Sequence, residues 1–244
     1  PSIADPAKHF NTVLWSGSSS AQAITGVGFE PTAVWTKRRN GAYSHYLWDQ
    51  VRGNAERLEP NSTGAEETQS GQWTSFDSDG FTLPGGSDAT NNSGGTYVGW
   101  NWKAGGTAST NEDGSIDSSV SANTDAGFSI VAWTGTGSNV TVGHGLSQAP
   151  ELIINKSRTL STSSSQWVVQ SILWNSASDT NILYLNGTAA AADDTNVFQA
   201  APTDTVFSPQ GGAWAGIGAS GENYIAYCFH SVDGYSKVGS YTGN

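Results

Sequence analysis

The fold is decided by two matching stretches of sequence, Ser93–Lys103 (S-G-G-T-Y-V-G-W-N-W-K) and Ser220–His230 (S-G-E-N-Y-I-A-Y-C-F-H). In both stretches large apolar side chains alternate with smaller ones at a period of two, and this period predicts a β-strand. The first stretch places Val98, Trp100 and Trp102 on one face, and the second places equally bulky residues there. We therefore expect the bulky face to cover the core of a sheet, and the smaller face to approach another layer or to line a concave surface.

The same duplication runs through the rest of the chain. The stretch F-N-T-V-L-W-S-G that begins at Phe10 matches F-S-I-V-A-W-T-G at Phe128, and the stretch that begins at Gly28 matches the one at Gly145. A third copy begins at Gly234, where G-Y-S-K-V-G-S-Y-T-G resembles the opening of the second copy. Repeats that keep their order along the chain indicate two copies of one folding unit.

These repeats divide the chain into segments. Residues 10–127 form the first unit, and their last part, residues 104–127, is a polar linker or a small hairpin rich in turn-forming residues. Residues 128–234 form the second unit. Residues 1–9 lead into the first unit, and residues 235–244 either start a truncated third repeat or supply a strand that closes the second unit. One larger, intertwined sandwich is the alternative to two separate units.

Composition predicts the fold class. The 244 residues include 30 Gly, 8 Pro and 10 Trp, and only 13% of them are charged. This composition is typical of short strands joined by polar turns, whereas helical bundles need long runs of Ala, Glu, Lys, Leu and Arg that this sequence lacks. We predict an all-β protein of two tandem antiparallel β-sandwich units, of the jelly-roll or concanavalin-like type.

Charge and cysteine content restrict the partners and the compartment. A net charge of −11 repels phosphate backbones and anionic lipid, so we expect neither nucleic-acid nor membrane binding. The sequence shows neither an apolar run long enough to span a membrane nor a signal peptide. The single cysteine, Cys228, cannot form an intrachain disulfide, which suits assembly in a reducing cytoplasm.

Several separated motifs together resemble one known repeat family. They are V-G-F-E-P-T-A-V-W-T-K, T-S-F-D-S-D-G-F-T-L, S-G-G-T-Y-V-G-W-N-W-K-A-G-G, T-V-G-H-G-L and N-Y-I-A-Y-C-F-H-S-V-D-G-Y-S-K-V-G-S-Y-T-G-N. In these motifs the chain is similar, from Phe10 onward, to repeats found in uncharacterised, tail-associated virion proteins of marine bacteriophages. The resemblance implies a location in the virion after assembly in the host cytoplasm, and it implies no catalytic or ligand-binding residues.

The sequence offers one weak candidate for nucleophilic catalysis. Cys228 and His230 lie two residues apart, so on a strand they share a face. The first repeat has Asn101 and Lys103 at these places, and a function common to both units cannot depend on a side chain that changes. We therefore expect Cys228 to be a small buried residue, and we assign no catalytic residues.

Acidic residues provide weak candidates for metal or sugar chemistry. Asp77 and Asp79 in F-D-S-D-G-F resemble part of a calcium loop, but the downstream acidic ligand is missing. We expect a turn between strands there, with neither a metal nor a cofactor bound. The adjacent pairs Glu66–Glu67 and Asp193–Asp194 are candidates for a two-carboxylate glycosidase, although adjacent acids in polar loops are usually only solvated.

Three aromatic or imidazole side chains are candidates for ligand contact. Trp73 and Trp214 lie among Gly, Ser and Gln in predicted loops, where an indole face could stack on a sugar ring. His144 stands between two glycines in V-G-H-G-L, which would allow a ligand to approach closely. The first repeat has Val27 in place of His144, so the simpler interpretation is a turn histidine in solvent.

Basic residues are scarce, and their grouping gives the remaining candidates. Lys37 and Arg39 recur in the second repeat as Lys156 and Arg158. Recurrence within one chain favours a shared structural task, such as pairing with a carboxylate at a strand end or at a subunit contact. Binding of acidic sugars is the alternative interpretation.

From these observations we expect a non-enzymatic virion structural protein, part of a tail fibre or other appendage, with host-surface glycans as possible ligands. A free-standing tandem carbohydrate-binding protein and a polysaccharide-degrading enzyme are the alternatives. Ten tryptophans exceed what two small cores readily bury, so we also expect partners in other copies of the chain and in other virion proteins. A cyclic oligomer is expected, and a trimer if the protein forms a fibre.

Overall fold

Each of the two matching stretches forms a central strand, Thr96–Trp102 in the first and Asn223–Phe229 in the second. In the computed structural model, residues 3–173, 180–194, 196–212 and 216–241 are described, and their named strands pair antiparallel. The predicted all-β class is confirmed. The only helical segment of the described residues is one 3₁₀ turn, Pro6–Lys8, and none of these residues forms a helix able to span a membrane.

The chain forms two units. The N-terminal unit comprises Asp5–Asn61 and Glu66–Gly106, and the C-terminal unit comprises Pro1–Ala4, Ser62–Ala65 and Thr107–Asn244. The strands of the N-terminal unit are β1 (Phe10–Ser16), β2 (Gln22–Thr25), β3 (Ala33–Arg38), β4 (His45–Asp49), β5 (Gly53–Leu58), β6 (Glu67–Thr68), β7 (Ser75–Asp77), β8 (Gly80–Leu83) and β9 (Thr96–Trp102).

The C-terminal unit contains ten strands among the described residues. They are β10 (Ser109–Asn111), β11 (Ser118–Asn123), β12 (Phe128–Thr134), β13 (Val142–Gly143), β14 (Leu152–Ser157), β15 (Val168–Ser171), β16 (Asn181–Tyr184), β17 (Ala192–Asp193), β18 (Val206–Phe207) and β19 (Asn223–Phe229).

The two units share one strand order. The larger sheet of the N-terminal unit runs β1-β9-β3-β4-β5-β6, and the C-terminal unit repeats this order as β12-β19-β14-β15-β16-β17. The smaller sheets correspond in the same way, because β2 pairs with β8 in the first unit and β13 pairs with β18 in the second. The sequence repeats therefore coincide with a repeat of topology.

The end of the first repeat belongs to the second sheet. Residues 104–127 were expected to end the first unit as a linker or small hairpin, and they do contain the hairpin β10–β11. That hairpin extends the larger sheet of the C-terminal unit, because β11 pairs with β12. Residues 235–241 form only a short bridge, Val232↔Ser236, and Tyr235 packs on Ile3, Ala126 and Val232.

In each unit, side chains from the larger and the smaller sheet share one hydrophobic core, as in a β-sandwich. The core of the N-terminal unit includes Trp15 and Tyr97 from the larger sheet and Phe81 from the smaller one. The rings of Trp15 and Tyr97 stack with centroids 5.4 Å apart. In the C-terminal unit, the rings of Trp133 and Tyr224 stack at 5.3 Å.

The expectation about which face of the central strands covers the core is wrong. Tyr97 in β9, and Tyr224, Ala226 and Cys228 in β19, belong to the cores, so the face with smaller residues points inward. Trp100, on the opposite face of β9, is half-buried.

Gly99 provides the physical reason for this arrangement. A Cβ atom at Gly99 would lie 3.2 Å from the Trp15 ring and 3.6 Å from the Phe81 ring. The small residue in the middle of the central strand therefore leaves room for the large aromatic side chains of neighbouring strands. Ala226 occupies the equivalent position of β19.

Candidate functional site

His144 is a structural residue inside the C-terminal unit, and the expectation of a turn histidine in solvent is wrong. Its side chain is fully buried. The backbone N–H of Leu146 donates to Nδ1 at 3.1 Å, so Nε2 carries the proton and donates to the carbonyl of Thr203 at 3.1 Å. Burial lowers the pKa of His144, which keeps the ring neutral.

Trp73 is also a core residue, so its expected place on a surface loop is wrong. Only 2% of the residue is exposed. Its ring stacks on Trp48 at 5.1 Å and on Phe81 at 4.7 Å between ring centroids. Aromatic stacking in the inter-sheet core therefore outweighs the polar sequence around Trp73. Trp214, the other predicted surface tryptophan, lies outside the described residues.

The side chains of the recurring lysines both donate to backbone carbonyl groups. The Nζ atom of Lys37 donates to the carbonyl of Arg38 at 2.7 Å, and Nζ of Lys156 donates to the carbonyl of Ser157 at 2.8 Å. Lys156 is fully buried, and its Nζ atom lies 3.5 Å from the carbonyl oxygen of Thr63. Burial lowers the pKa of Lys156 to about 8. These partners are carbonyl groups, whereas the sequence suggested carboxylates.

The recurring arginines also share a backbone role. The N–H of Arg39 donates to the carbonyl of Thr96 at 2.7 Å, and the N–H of Arg158 donates to the carbonyl of Asn223 at 2.8 Å. Each bond continues the pairing of the strand that precedes the arginine. Arg39 is exposed, whereas Arg158 is half-buried.

The adjacent acids Glu66–Glu67 are used in ion pairs. Arg52 pairs with the buried Asp49 at 2.5 Å and with Glu66 at 2.9 Å. Arg57 pairs with Glu67 at 2.5 Å, so each glutamate has its own arginine. Asp194, of the other acidic pair, accepts N–H bonds from Asn196, and the side chain of Asp193 lies outside the described part of the chain.

Cys228 is fully buried in the core of the C-terminal unit. Burial raises the pKa of its thiol to about 12, so the thiol is protonated at neutral pH and is a poor nucleophile. His230 is buried as well, with Nδ1 2.9 Å from the carbonyl oxygen of Ser231.

Asp77 and Asp79 stabilise the hairpin of β7 and β8. Asp79 accepts backbone N–H bonds from Gly26 at 3.1 Å and from Gly28 at 2.6 Å, which fixes the loop after β2. Asp77 accepts hydroxyl hydrogen bonds within the hairpin. Within the described ranges of the chain, His, Cys, Asp and Glu side chains do not form a metal-binding group of three or more.

The structure brings together a different set of residues at one end of the N-terminal unit. Arg38, the last residue of β3, forms an ion pair with Asp88 and donates through Nε to Oδ1 of Asn40 at 3.2 Å. Its guanidinium carbon lies 4.4 Å from the centre of the Tyr43 ring, within the range of a cation–π contact. We call Arg38, Arg39, Asn40, Tyr43 and Asp88 the Arg38 surface.

The Arg38 surface combines rigid and accessible groups. The Arg38 side chain is only 12% exposed, whereas 51% of the Asp88 side chain and 38% of Tyr43 are exposed. Arg39 and Asn40 are exposed too. Among the residues that the structure describes, Arg39 has no carboxylate within ion-pair distance. A cation, a carboxylate and an aromatic ring are thus accessible from solution, whereas the amide of Asn40 is engaged by Arg38, Thr96 and Gly94.

Asp88 is held in place as an ionised group. Its Oδ1 atom accepts a hydrogen bond from Nδ2 of Asn92 at 2.7 Å. Hydrogen bonds from Asn92, Arg38 and Tyr43 keep the pKa of Asp88 below its ordinary value. The negative charge that anchors Arg38 therefore persists at pH values where an ordinary aspartate begins to protonate.

Tyr97 ties the loops around this surface to the core. Its hydroxyl group accepts the N–H of Asn92 at 3.0 Å and donates to the carbonyl of Asp88 at 3.2 Å. Asn40 connects the β3–β4 loop to the same region, because Nδ2 donates to the carbonyl of Gly94 at 2.7 Å. These hydrogen bonds hold the β3–β4 loop and the loop before β9 in place.

Ser19 adds a conformational constraint on the same loops. It has a φ of 59°, and it is the only residue other than glycine with a positive φ in the described ranges. Its Oγ atom accepts the N–H of Ser93 at 2.8 Å and donates to Oδ1 of Asn92 at 3.2 Å. Hydrogen bonds to the neighbouring loop therefore stabilise a left-handed backbone that most side chains avoid.

The C-terminal unit has the same scaffold without this surface. Tyr224 accepts the N–H of Ala219 at 2.9 Å, as Tyr97 does from the equivalent loop. Ser157 occupies the place of Arg38, and Thr159 hydrogen-bonds Glu222 where the N-terminal unit has its Arg38 surface. The sequence interpretation missed Tyr43 and Asp88 because it looked for residues that recur. The Arg38–Ser157 difference was the available signal.

Comparison with known proteins identifies a family. Residues 5–244 match the family model described as Domain of unknown function (DUF7483). No curated protein and no solved structure matches the chain significantly. Because the match covers almost the whole chain, the protein belongs to the DUF7483 family.

Proposed function

We propose that this protein is a non-enzymatic structural and attachment protein of a virus particle, part of a tail fibre or similar appendage, and that its Arg38 surface binds host-surface glycans. The observation that carries the binding part is the exposed Tyr43 ring, supported by an Arg38 side chain that Asp88 and Asn40 hold in place. An aromatic ring with fixed polar groups around it is the arrangement that sugar rings require.

The chemistry of the surface suits neutral or mildly acidic sugars. The C–H face of a sugar ring can stack on Tyr43, and its hydroxyl groups can donate to the carboxylate of Asp88 or accept the second N–H of the Asn40 amide. Arg39 provides a cation for a carboxylate or sulfate on the glycan. Since the whole chain carries a charge of −11, long-range attraction to an anionic cell surface contributes little.

Such an open surface is suited to weak binding at each site. A Kd near 1 mM corresponds to about 4 kcal/mol, which a few hydrogen bonds and one stacked ring can provide. An appendage presents many copies of the chain, and simultaneous engagement of several sites raises the overall affinity. The viral setting is supported by the similarity to repeats in bacteriophage virion proteins and by the duplicated topology of the chain.

A free-standing tandem carbohydrate-binding protein would use the same surface. The two functions differ in location, which immunogold labelling of the virus particles that carry this gene would determine. Gold on the tail or appendage is expected, and particles without label would contradict the viral part of the proposal. For the polysaccharide-degrading enzyme, the pair Glu66–Glu67 gives no support, because both carboxylates are engaged by arginines.

A glycan array tests the binding part. The purified protein is applied beside Tyr43→Ala, Tyr43→Phe and the control Tyr241→Ala, which removes a tyrosine that is 95% exposed elsewhere. We expect Tyr43→Ala to weaken binding at least about tenfold through loss of stacking, and Tyr43→Phe to retain most of it. Equal binding by the wild type and Tyr43→Ala would contradict the proposal, and so would release of shortened sugars.

A further inference from the structure

The free edge of β1 differs from the same edge in the second unit. In the larger sheet of the N-terminal unit, β1 is the outermost strand, and among the described residues it pairs only with β9. Its counterpart β12 lies inside its sheet, because β11 pairs with it antiparallel over five residue pairs from Ser119↔Ala132 to Asn123↔Phe128. The scaffold thus accepts a further strand at this edge, and no described residue of the N-terminal unit supplies one.

β1 is also the longest edge strand. It contains seven residues, whereas β6 and β17, at the far edges of the two larger sheets, contain two each. β10, at the remaining edge, contains three. Short edge strands are a common protection against unwanted pairing, and β1 is without this protection.

The hydrogen-bonding direction along β1 is set by its pairing with β9. The carbonyl of His9 accepts the N–H of Lys103, and the N–H of Gly17 donates to the carbonyl of Gly95, so odd-numbered residues bond to β9. The backbone groups of Phe10, Thr12, Leu14 and Ser16 therefore point to the free edge. Two of these groups have side-chain partners, since Oδ1 of Asn11 accepts the N–H of Thr12 and Gln22 donates to the carbonyl of Ser16.

The side chains beside this edge favour pairing. The seven residues F-N-T-V-L-W-S include no charged residue and no proline. Thr12 is exposed, and Leu14 is 61% exposed, the second-highest exposure among the large hydrophobic residues of the described ranges. Lysine, proline and inward-pointing charges are the usual devices that block strand addition. None of them is present in β1.

We propose that the free edge of β1 pairs antiparallel with β1 of a second copy of this chain, which joins two N-terminal units into one continuous sheet. A strand without charges can face its own copy without repulsion, although the chain as a whole is strongly acidic. An antiparallel pair of identical strands has two-fold symmetry, which closes the assembly at a dimer. The β1 strand of the second copy then forms the backbone hydrogen bonds to β1 that β11 forms to β12.

The geometry also determines the register. Only even-numbered residues can bond across the new edge, and all four of them are used when the two-fold axis passes through Val13. Thr12 then faces Leu14 of the second copy on the outer side of the sheet. This assembly gives the self-association expected from the sequence a defined surface, with a two-fold dimer in place of the trimer expected for a fibre. It does not depend on glycan binding at the Arg38 surface.

A charge exchange at positions 12 and 14 tests this arrangement. One variant carries Thr12→Lys with Leu14→Lys, and the other carries Thr12→Glu with Leu14→Glu. Both positions are exposed, so the changes leave the core of the unit untouched, and melting curves verify the fold. The matched control is Leu185→Lys, at a leucine that is 37% exposed in the C-terminal unit. The mass of each protein is measured by sedimentation over a range of concentrations.

We expect the wild type and Leu185→Lys to be dimers. Each charged variant alone should have a dimer dissociation constant at least about tenfold higher, because like charges meet across the edge. An equimolar mixture should return to dimers that contain one chain of each variant. A monomeric or trimeric wild type, unchanged dimers of the charged variants, or a mixture that stays monomeric would overturn the proposal. Glycan binding by the charged variants, measured per site, reports separately on the Arg38 surface.

Discussion

The two units share a scaffold and differ at two surfaces. Both stack a tryptophan on a tyrosine of the central strand, and both use that tyrosine to hold a loop at the same end. Among the described residues, only the N-terminal unit has the Arg38 surface, and its β1 is an edge strand whereas the equivalent β12 is paired with β11. In this duplicated chain, residues that recur maintain the fold, and residues that differ form the candidate sites.

The largest expected effect concerns the shared aromatic stack. Trp15→Ala and Trp133→Ala should each lower the free energy of unfolding by about 3–5 kcal/mol, because each leaves a cavity between two sheets. Replacing each tryptophan by phenylalanine keeps an aromatic ring in the core and removes the indole N–H, so these variants compare the hydrogen bonds of the two tryptophans. Nε1 of Trp15 donates to the carbonyl of Thr90 at 2.8 Å, whereas Nε1 of Trp133 has no hydrogen-bond partner in the part of the chain that the structure describes.

Trp15→Phe should therefore cost about 1 kcal/mol more than Trp133→Phe. Denaturant unfolding gives the free energies, and hydrogen exchange in β9 and β19 shows which unit is affected. Equal costs for the two phenylalanine variants would contradict the assigned difference in hydrogen bonding.

A second comparison concerns the two recurring lysines. Burial lowers the pKa of Lys156 from 10.5 to about 8, so between these pH values the unfolded chain binds a proton that the folded chain has released. The contribution of Lys156 to stability should consequently rise with pH through this window, by roughly 3 kcal/mol in total. Above about pH 9 the buried thiol of Cys228, whose pKa burial raises to about 12, opposes this rise, so the measured quantity is the difference in stability between the wild type and Lys156→Met. Lys156→Met removes the buried charge, so it should raise stability at pH 7 and abolish the rise.

The control for this prediction is Lys37→Met, at a lysine that is only half-buried. The control should leave the rise between pH 8 and 10.5 in place, because Lys156 is unchanged. Denaturant midpoints measured across this range decide the matter. If the stability of Lys156→Met still rises between pH 8 and 10.5, a group other than Lys156 causes the rise.

The third comparison concerns the tyrosines that hold the loops. The hydroxyl group of Tyr97 makes two hydrogen bonds to the loop that carries Asp88, whereas the hydroxyl group of Tyr224 makes one among the described residues, with the N–H of Ala219. Tyr97→Phe should therefore cost about 2 kcal/mol and Tyr224→Phe about 1 kcal/mol. Tyr97→Phe should also increase hydrogen exchange of the loop around Asp88. Equal exchange in this loop before and after the change would show that Tyr97 does not hold it.

The sequence alone was sufficient for the fold class and the repeat. Alternation in Tyr97–Lys103 predicted a central strand, and the matching stretches predicted a topology that recurs. Which face of the central strand points into the core was not predictable from that strand alone, because it depends on which neighbouring strands supply large side chains to the core. Gly99 lies on the core-facing side of β9 because the rings of Trp15 and Phe81 occupy the space that a side chain at this position would need.

The candidate site was less accessible to sequence reasoning. Glycines around His144 and polar residues around Trp73 suggested exposure, but both side chains are buried by segments distant in the chain. Arg38 and Asp88 are separated by 50 residues, and the pairing arises only when the β3 end meets the loop before β9. Local patterns predict strands and turns, whereas this pairing is a property of the tertiary structure.

The most direct measurement is glycan binding by the full chain with the equivalent ends of the two units altered in turn. Tyr43→Ala removes the exposed ring of the Arg38 surface, and Glu222→Ala removes the Thr159 partner at the corresponding end of the C-terminal unit. We predict that Tyr43→Ala weakens binding at least about tenfold and that Glu222→Ala leaves it unchanged. Loss of binding in Glu222→Ala, with full binding in Tyr43→Ala, would contradict the assignment of the site to the N-terminal unit.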